Sequence, residues 1–189
     1  DVGTLGSANV LDVREKDGVI VHLCDRPLTA GASVSGKIDW ARRFDHMQQH
    51  SGEHICSGLI CARFHCDNVG FHMGADFVTI DFDGFLTPEQ LAEIEREANY
   101  AVAANYKVTA TFPEPEVLKT LEYRSKLELT ENVRIVEIEN TDICACCAPH
   151  VSSTAEVGLV KILSSERRRR GGDGVRITML YRRKTAAFG

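Results

Sequence analysis

The residues best able to do chemistry in this chain fall into two short runs. The first is His50-Ser51-Gly52-Glu53-His54. On a helix, side chains at i and i+4 stand one above the other about 5–6 Å apart. Two imidazoles so placed can fill two corners of a zinc tetrahedron. The second run is Cys146-Cys147-Ala148-Pro149-His150. A thiolate and an imidazole four positions apart, on a segment that Pro149 keeps from being helical, can supply the other two corners. A His/His/Cys/His set suits Zn²⁺, which accepts both nitrogen and sulfur. Spacing alone leaves rivals: His46 and His50 share the HxxxH interval, and Cys144 or Cys147 can replace Cys146. Either motif alone is common, and a closed four-ligand site also serves a purely structural role.

These residues need elements to hold them. Met47, His50, His54, Ser57/Gly58 and Cys61 recur at helical spacing, which predicts a helix over 46–62. Before it, Asn9–Val13 and Val19–Leu23 flank Asp17-Gly18, a hairpin signal. Ala32–Trp40 alternates like a half-buried strand. After it, Phe77–Phe82 alternates as a strand. Thr87-Pro88-Glu89-Gln90 then opens a helix with a capping box and Pro at its first position, running to about Asn105. Leu91, Ile94 and Ala98 form its core face, and Glu89, Glu93 and Glu97 its solvent face. Pro113 and Pro115 mark a further helix near 114–128. Val133–Ile138, Leu159–Leu163 and Val175–Tyr181 read as strands, the last two as an antiparallel hairpin around a loop at Arg167–Gly172. No internal repeat is visible. The expectation is an α+β fold of mostly antiparallel sheet with packed helices. A β-rich N-terminal subdomain (1–40) precedes a core (41–189), and the zinc site lies between a helix and a loop.

Composition narrows the function. The 189 residues are 43% hydrophobic and 26% charged, enough apolar material to exclude wholesale disorder. No apolar run approaches the length of a membrane span, and no basic-then-apolar signal segment opens the chain. The formal net charge of −5 argues against indiscriminate coating of nucleic acid. The charge is uneven, however. Nine Lys/Arg and two Asp/Glu follow from Lys161 onward, leaving the first 160 residues acidic. Arg167, Arg168, Arg169 and Arg170 are therefore candidate phosphate contacts, against the plain alternative of a solvated basic loop. The seven cysteines are odd in number and crowd at 144, 146 and 147. In a reducing compartment that pattern reads as metal-binding or redox-active before it reads as disulfides. Cys24, Cys56, Cys61 and Cys66 are expected as small buried hydrophobes.

Arg42-Arg43-Phe44-Asp45-His46-Met47-Gln48-Gln49-His50-Ser51-Gly52-Glu53-His54 resembles the HxxxH segment of the alanyl-tRNA editing family. That family comprises AlaX-type trans-editing proteins and the matching editing domain of alanyl-tRNA synthetase. Val133–Val136, Cys146–His150-Val151 and Thr154–Ile162 resemble its CxxxH segment and the strand that follows. The resemblance runs from about Asp1 to Tyr181, with its two motifs in the right order and 92 residues apart. It implies one zinc held by His50, His54, Cys146 and His150, with His46 just outside the ligands. It also implies hydrolysis of the ester of a mischarged alanine-specific tRNA carrying serine or glycine, in the cytoplasm. Ala148-Pro149 stands where the family usually has Gly-Thr, and a Pro there resembles the related editing domain of threonyl-tRNA synthetase. The family's glycine-rich motif would lie upstream of Asp1, so the chain is expected to be a fragment. A C-terminal region that mediates oligomerisation in longer members would lie beyond it.

The residue that takes or gives the proton is open. Asp45, Glu53 and His46 are near in sequence, and a route through the terminal tRNA hydroxyl needs no protein base. Gln48 and Thr79 are candidates for a polar contact to a seryl hydroxyl. Two rivals to the editing hydrolase remain. One is a zinc-stabilised tRNA-binding module without catalysis, and the other a metal-dependent hydrolase of small aminoacyl esters or amides. The same domain also occurs inside alanyl-tRNA synthetase-like ligases, although no ATP-binding or aminoacylation motif is visible here.

Overall fold

The computed structural model describes residues 1–74, 76–125, 132–168 and 173–181. The chain forms two compact units, Asp1–His46 and Met47–Gly189.

In the first unit, strands β1 (Gly3–Leu5), β2 (Ala8–Lys16), β3 (Val19–Cys24) and β4 (Gly36–Ile38) form an antiparallel sheet in the order β3-β2-β1-β4. The expected hairpin is present. Asp17 and Gly18 both take positive φ, 52° and 75°, as a two-residue turn between twisted strands requires. The strand expected over 32–40 shrinks to the exposed β4. Its end is claimed by a helix instead. The Asp39 carboxylate accepts from the Arg42 N–H at 3.1 Å, and its carbonyl accepts from Arg43. This is N-cap chemistry, and it starts α1 (Trp40–Phe64) six residues before the predicted position.

In the second unit, β5 (Asn68–Met73), β6 (Val78–Phe82), β10 (Val160–Arg167) and β11 (Val175–Tyr181) form an antiparallel sheet ordered β10-β11-β6-β5. A third sheet, β7-β8-β9, uses Val108–Thr111, Ile135–Ile138 and Asp142–Ala145. The hairpin of the last two strands is as expected, but β10 runs on through Arg167. Helix α2 (Pro88–Ala104) carries the full capping box at Thr87 and Gln90 and ends on Asn105 at φ 55°. Its core face holds Leu91, Ile94 and Ala98 as expected. Glu93 and Glu97 are half-buried rather than solvated, because both pair with Arg63 of α1.

The helix expected over 114–128 is corrected. Only α3 (Pro115–Leu118) forms. By residue 124 the backbone is extended and bridged to Cys144 of β9, which a helix would forbid. Residues 126–128 lie outside the described residues.

Large buried side chains of the second unit, among them Ile55, Ile60, Ile80, Phe82, Ile94, Ile138, Ile177, Met179 and Tyr181, make its core. From Gln48 to Gly58 the helix α1 is buried on all sides. Small residues make that burial feasible. A Cβ on Gly52 would strike the Tyr181 ring, and one on Gly58 would lie 2.5 Å from the Thr141 carbonyl oxygen and 2.7 Å from Asp142 Cβ. No described helix is long and apolar enough to cross a membrane.

Candidate metal centre

The buried stretch of α1 presents His50 and His54 one turn apart, with ring centroids 4.9 Å from each other. Facing them is the segment after β9, which has no regular structure over residues 146–150. One ligand atom from each of His50, His54, Cys146 and His150 falls within 4.8 Å of all the others. The His50 and His150 rings stack at 4.1 Å, and the Nε2 atoms of both lie 3.5 Å from Cys146 Sγ.

Each imidazole is held from behind through Nδ1. His50 Nδ1 lies 3.2 Å from the Pro149 carbonyl, His150 Nδ1 3.0 Å from Ser51 Oγ, and His54 Nδ1 2.9 Å from Asp142 Oδ2. With protons on the three Nδ1 atoms, the three Nε2 lone pairs are free to point inward. This is the outer arrangement that orients histidines on metals.

The loop is pinned as well. The Arg134 guanidinium donates to the carbonyls of Cys146 and Ala148, at 2.8 and 3.0 Å. The Cys146 N–H donates back to the Arg134 carbonyl at 3.0 Å, and the Val151 N–H donates to Ser51 Oγ at 3.1 Å. Pro149 contributes the one backbone group it has, its carbonyl.

The electrostatics place Cys146 and His150 in the form that binds a metal, whereas His54 must give up a proton to join them. Burial pushes the Cys146 thiol up. Hydrogen bonds from His150, His50 and His54 outweigh it and bring the thiol down to about 3, so it is a thiolate at neutral pH. Burial disfavours the charged form of His54. Its hydrogen bonds to Asp142 and Cys146 and the charge of Glu53 prevail and raise it to about 9. His150 is lowered to about 4, first by burial and then, against the pull of Cys146, by its two histidine neighbours. Burial pushes Asp142 up, but hydrogen bonds from His54 and Arg124 hold it below the usual carboxylate range. Three imidazole nitrogens and one thiolate, converging and oriented, fit Zn²⁺.

The remaining candidates fall elsewhere. His46 is half-buried and outside the four-donor group. Cys147 is exposed, and burial raises the Cys144 thiol to about 12. Cys144 does share a second cluster with His54 and Asp142, behind the first. Gln48 is buried and spends its amide nitrogen on the Glu156 carbonyl, at 2.6 Å. Thr79 sits mid-strand in β6, paired with His72 and Thr178. Glu53 is buried away from solvent, its Oε1 accepting from Ser57 at 2.6 Å and Asn68 at 2.5 Å. Arg167 pairs with Asp173 at 2.7 Å and covers the Phe85 ring. The Arg168 N–H donates to the Gly174 carbonyl at 3.0 Å, and Arg169 and Arg170 lie outside the described residues. Of the four cysteines expected to be buried, Cys56 and Cys66 are; Cys24, at the end of the exposed β3, and Cys61, in the last turns of α1, are only half-buried.

Asp142, Ser51, Arg134 and Arg124 support the donors and were not singled out from the sequence. Ser51 lies inside the first motif and Asp142 four residues before Cys146, so their positions were the available signal.

Residues 133–177 match the family described as threonyl and alanyl tRNA synthetase second additional domain. The chain is 33% identical over 171 residues to alanyl-tRNA editing protein Aarsd1 of Bos taurus, covering 88% of this chain and 38% of that protein. The Mus musculus Aarsd1 is 32% identical, with 88% and 42% covered. Alanine--tRNA ligase of Ignicoccus hospitalis is 33% identical over 179 residues, with 88% of this chain and 20% of the ligase covered. The chain belongs to the alanyl-tRNA editing family. It spans 38% to 42% of the length of these editing proteins and a smaller share of the ligase.

Proposed function

We propose that this chain is a zinc-dependent aminoacyl-tRNA deacylase. Its substrates are mischarged alanine-specific tRNAs carrying serine or glycine, and its task is translation quality control in the cytoplasm. The observation that carries this reading is the convergence of His50, His54, Cys146 and His150 within 4.8 Å, each imidazole oriented through Nδ1 by a separate partner. What zinc supplies when bound is Lewis acidity toward the ester's carbonyl or amino group. The chain's own part is to keep the Cys146 thiolate and the three Nε2 atoms facing one point, so that little reorganisation accompanies reaction. Arg134 and Ser51 keep the loop against the helix. The charge balance from Lys161 onward, with Arg167–Arg170 at its centre, supplies phosphate contacts that position tRNA without reading sequence. Residues 1–40 form the β-rich part of the editing unit, and 41–189 its zinc-containing core.

The test is deacylation of Ser-tRNA(Ala), Gly-tRNA(Ala) and Ser-tRNA(Thr) by metal-loaded and chelated protein. Release of serine or glycine from tRNA(Ala), lost on chelation and absent with Ala-tRNA(Ala), is the expected result. Binding of tRNA without release would mark a binding module. Turnover of small aminoacyl esters without tRNA would mark a general hydrolase.

A further inference from the structure

Arg124 lies outside every regular element, yet it is fastened to β9 at both ends. Its N–H donates to the Ile143 carbonyl at 2.8 Å, and its carbonyl accepts from the Ala145 N–H at 2.9 Å. The result is an isolated bridge to Cys144, in the strand that runs directly into Cys146. Its guanidinium grips both oxygens of Asp142, Nε to Oδ1 at 2.7 Å and Nη2 to Oδ2 at 2.8 Å. The same Oδ2 accepts from His54 Nδ1 at 2.9 Å. Asp142 is almost wholly buried and its Cβ is pressed against Gly58 of α1, so the carboxylate is confined on the other side too.

We propose that Arg124 is the positioning residue of the centre: it locks Asp142 so that Oδ2 faces His54 Nδ1, fixing the tautomer and ring orientation that leave His54 Nε2 for the metal. The inference rests on the metal-centre reading above and extends it to a residue eighteen positions from Asp142 in sequence. A planar fork is required for this task, because a bidentate grip fixes the rotation of the carboxylate as well as its charge. Asp142 is the first residue of β9, so its bond to His54 ties the helix-borne donor to the strand that delivers Cys146, and Arg124 holds that carboxylate through a fork and a backbone bridge to the same strand.

A plainer role competes with this one, in which Arg124 merely neutralises a buried acid. The two separate on metal affinity and ligand field, which charge neutralisation alone does not set. The experiment titrates the full chain with Co²⁺ against a competing chelator, recording the visible spectrum and the thermal unfolding of the metal-free protein. Wild type is expected to bind about one Co²⁺ with tetrahedral, thiolate-containing bands. Arg124→Met should bind at least about tenfold more weakly, in the range found when outer partners of metal-bound histidines are removed. Arg124→Lys restores the charge but not the fork, so its unfolding should recover further than its affinity. In the double variant R124M/D142N neither member of the Arg124–Asp142 pair is left without the other, so it serves as the folding control. Wild-type affinity and spectrum in Arg124→Met or Arg124→Lys would overturn the proposal while leaving the metal centre intact. Failure of wild type to bind Co²⁺ would overturn the metal centre itself, and the proposal with it.

Discussion

The centre has a helix-borne half and a loop-borne half, and they are built by different means. His50 and His54 inherit their spacing from the helical repeat, inside a stretch of α1 buried on every side. Their rings need only be turned correctly, which Pro149 and Asp142 accomplish through Nδ1. Cys146 and His150 have no such repeat beneath them. Their loop holds its shape because Arg134 caps two of its carbonyls and Ser51 Oγ accepts from the Val151 N–H and pairs with His150 Nδ1. The helix fixes position and borrows orientation, whereas the loop borrows both. Damage to the loop's supports should therefore cost more of the centre than equal damage to the helix surface.

The largest effect is expected from Cys146→Ala. The loop half loses its only charged donor, and metal affinity should fall by about a thousandfold or more. At a metal concentration a thousand times the wild-type Kd, that forfeits about 4 kcal/mol of linked stability. Thermal unfolding with and without metal measures it. Cys147→Ala, one residue along but exposed, should bind metal like wild type. The opposite pattern in the two variants would reassign the sulfur ligand.

Gly58→Ala attacks the helix half from behind. The new methyl meets the Thr141 carbonyl and the Asp142 side chain, so backbone must move. A loss of about 1–3 kcal/mol is expected from such overpacking, together with metal affinity reduced by about tenfold as Asp142 leaves His54. Retained affinity at reduced stability would show that Asp142 can shift without releasing the ring.

Arg134→Ala tests the loop half alone. Two charge-assisted hydrogen bonds are removed, and about 1–3 kcal/mol of stability should go with them. Weakened metal binding is expected here too, whereas Thr87→Ala serves as the contrast. Loss of that α2 cap should cost about 1 kcal/mol and leave metal binding unchanged. If both variants lost stability and neither lost metal, the loop would be shown to hold its shape without Arg134.

What was legible in the sequence follows the same division. The HxxxH pair, the α2 capping box and the Asp17-Gly18 hairpin are local signals, each satisfied within a few residues, and all three appear in the structure. The CxxxH spacing was visible, but not the supports of its loop. Arg134 and Ser51 act across 12 to 100 residues of sequence, and nothing in their neighbourhoods announces it. The helix expected over 114–128 failed for the same reason. Local propensity gave way to the pairing of Arg124 with β9, a tertiary contact. The start of α1 differs: Asp39 is a residue type that caps helices, but the alternation of Ala32–Trp40 predicts a strand through it. The six residues of β5 do not alternate between buried and exposed, and β7 and β9 have only four residues each.

The central claim is that three imidazoles and one thiolate form a single metal centre. X-ray absorption at the zinc edge of the zinc-loaded chain tests it most directly. The account predicts about one zinc with three nitrogen scatterers at about 2.0–2.1 Å and one sulfur at about 2.3 Å, the sulfur vanishing in Cys146→Ala and persisting in Cys147→Ala. A shell with two sulfurs, or with none in the wild-type protein, would contradict it.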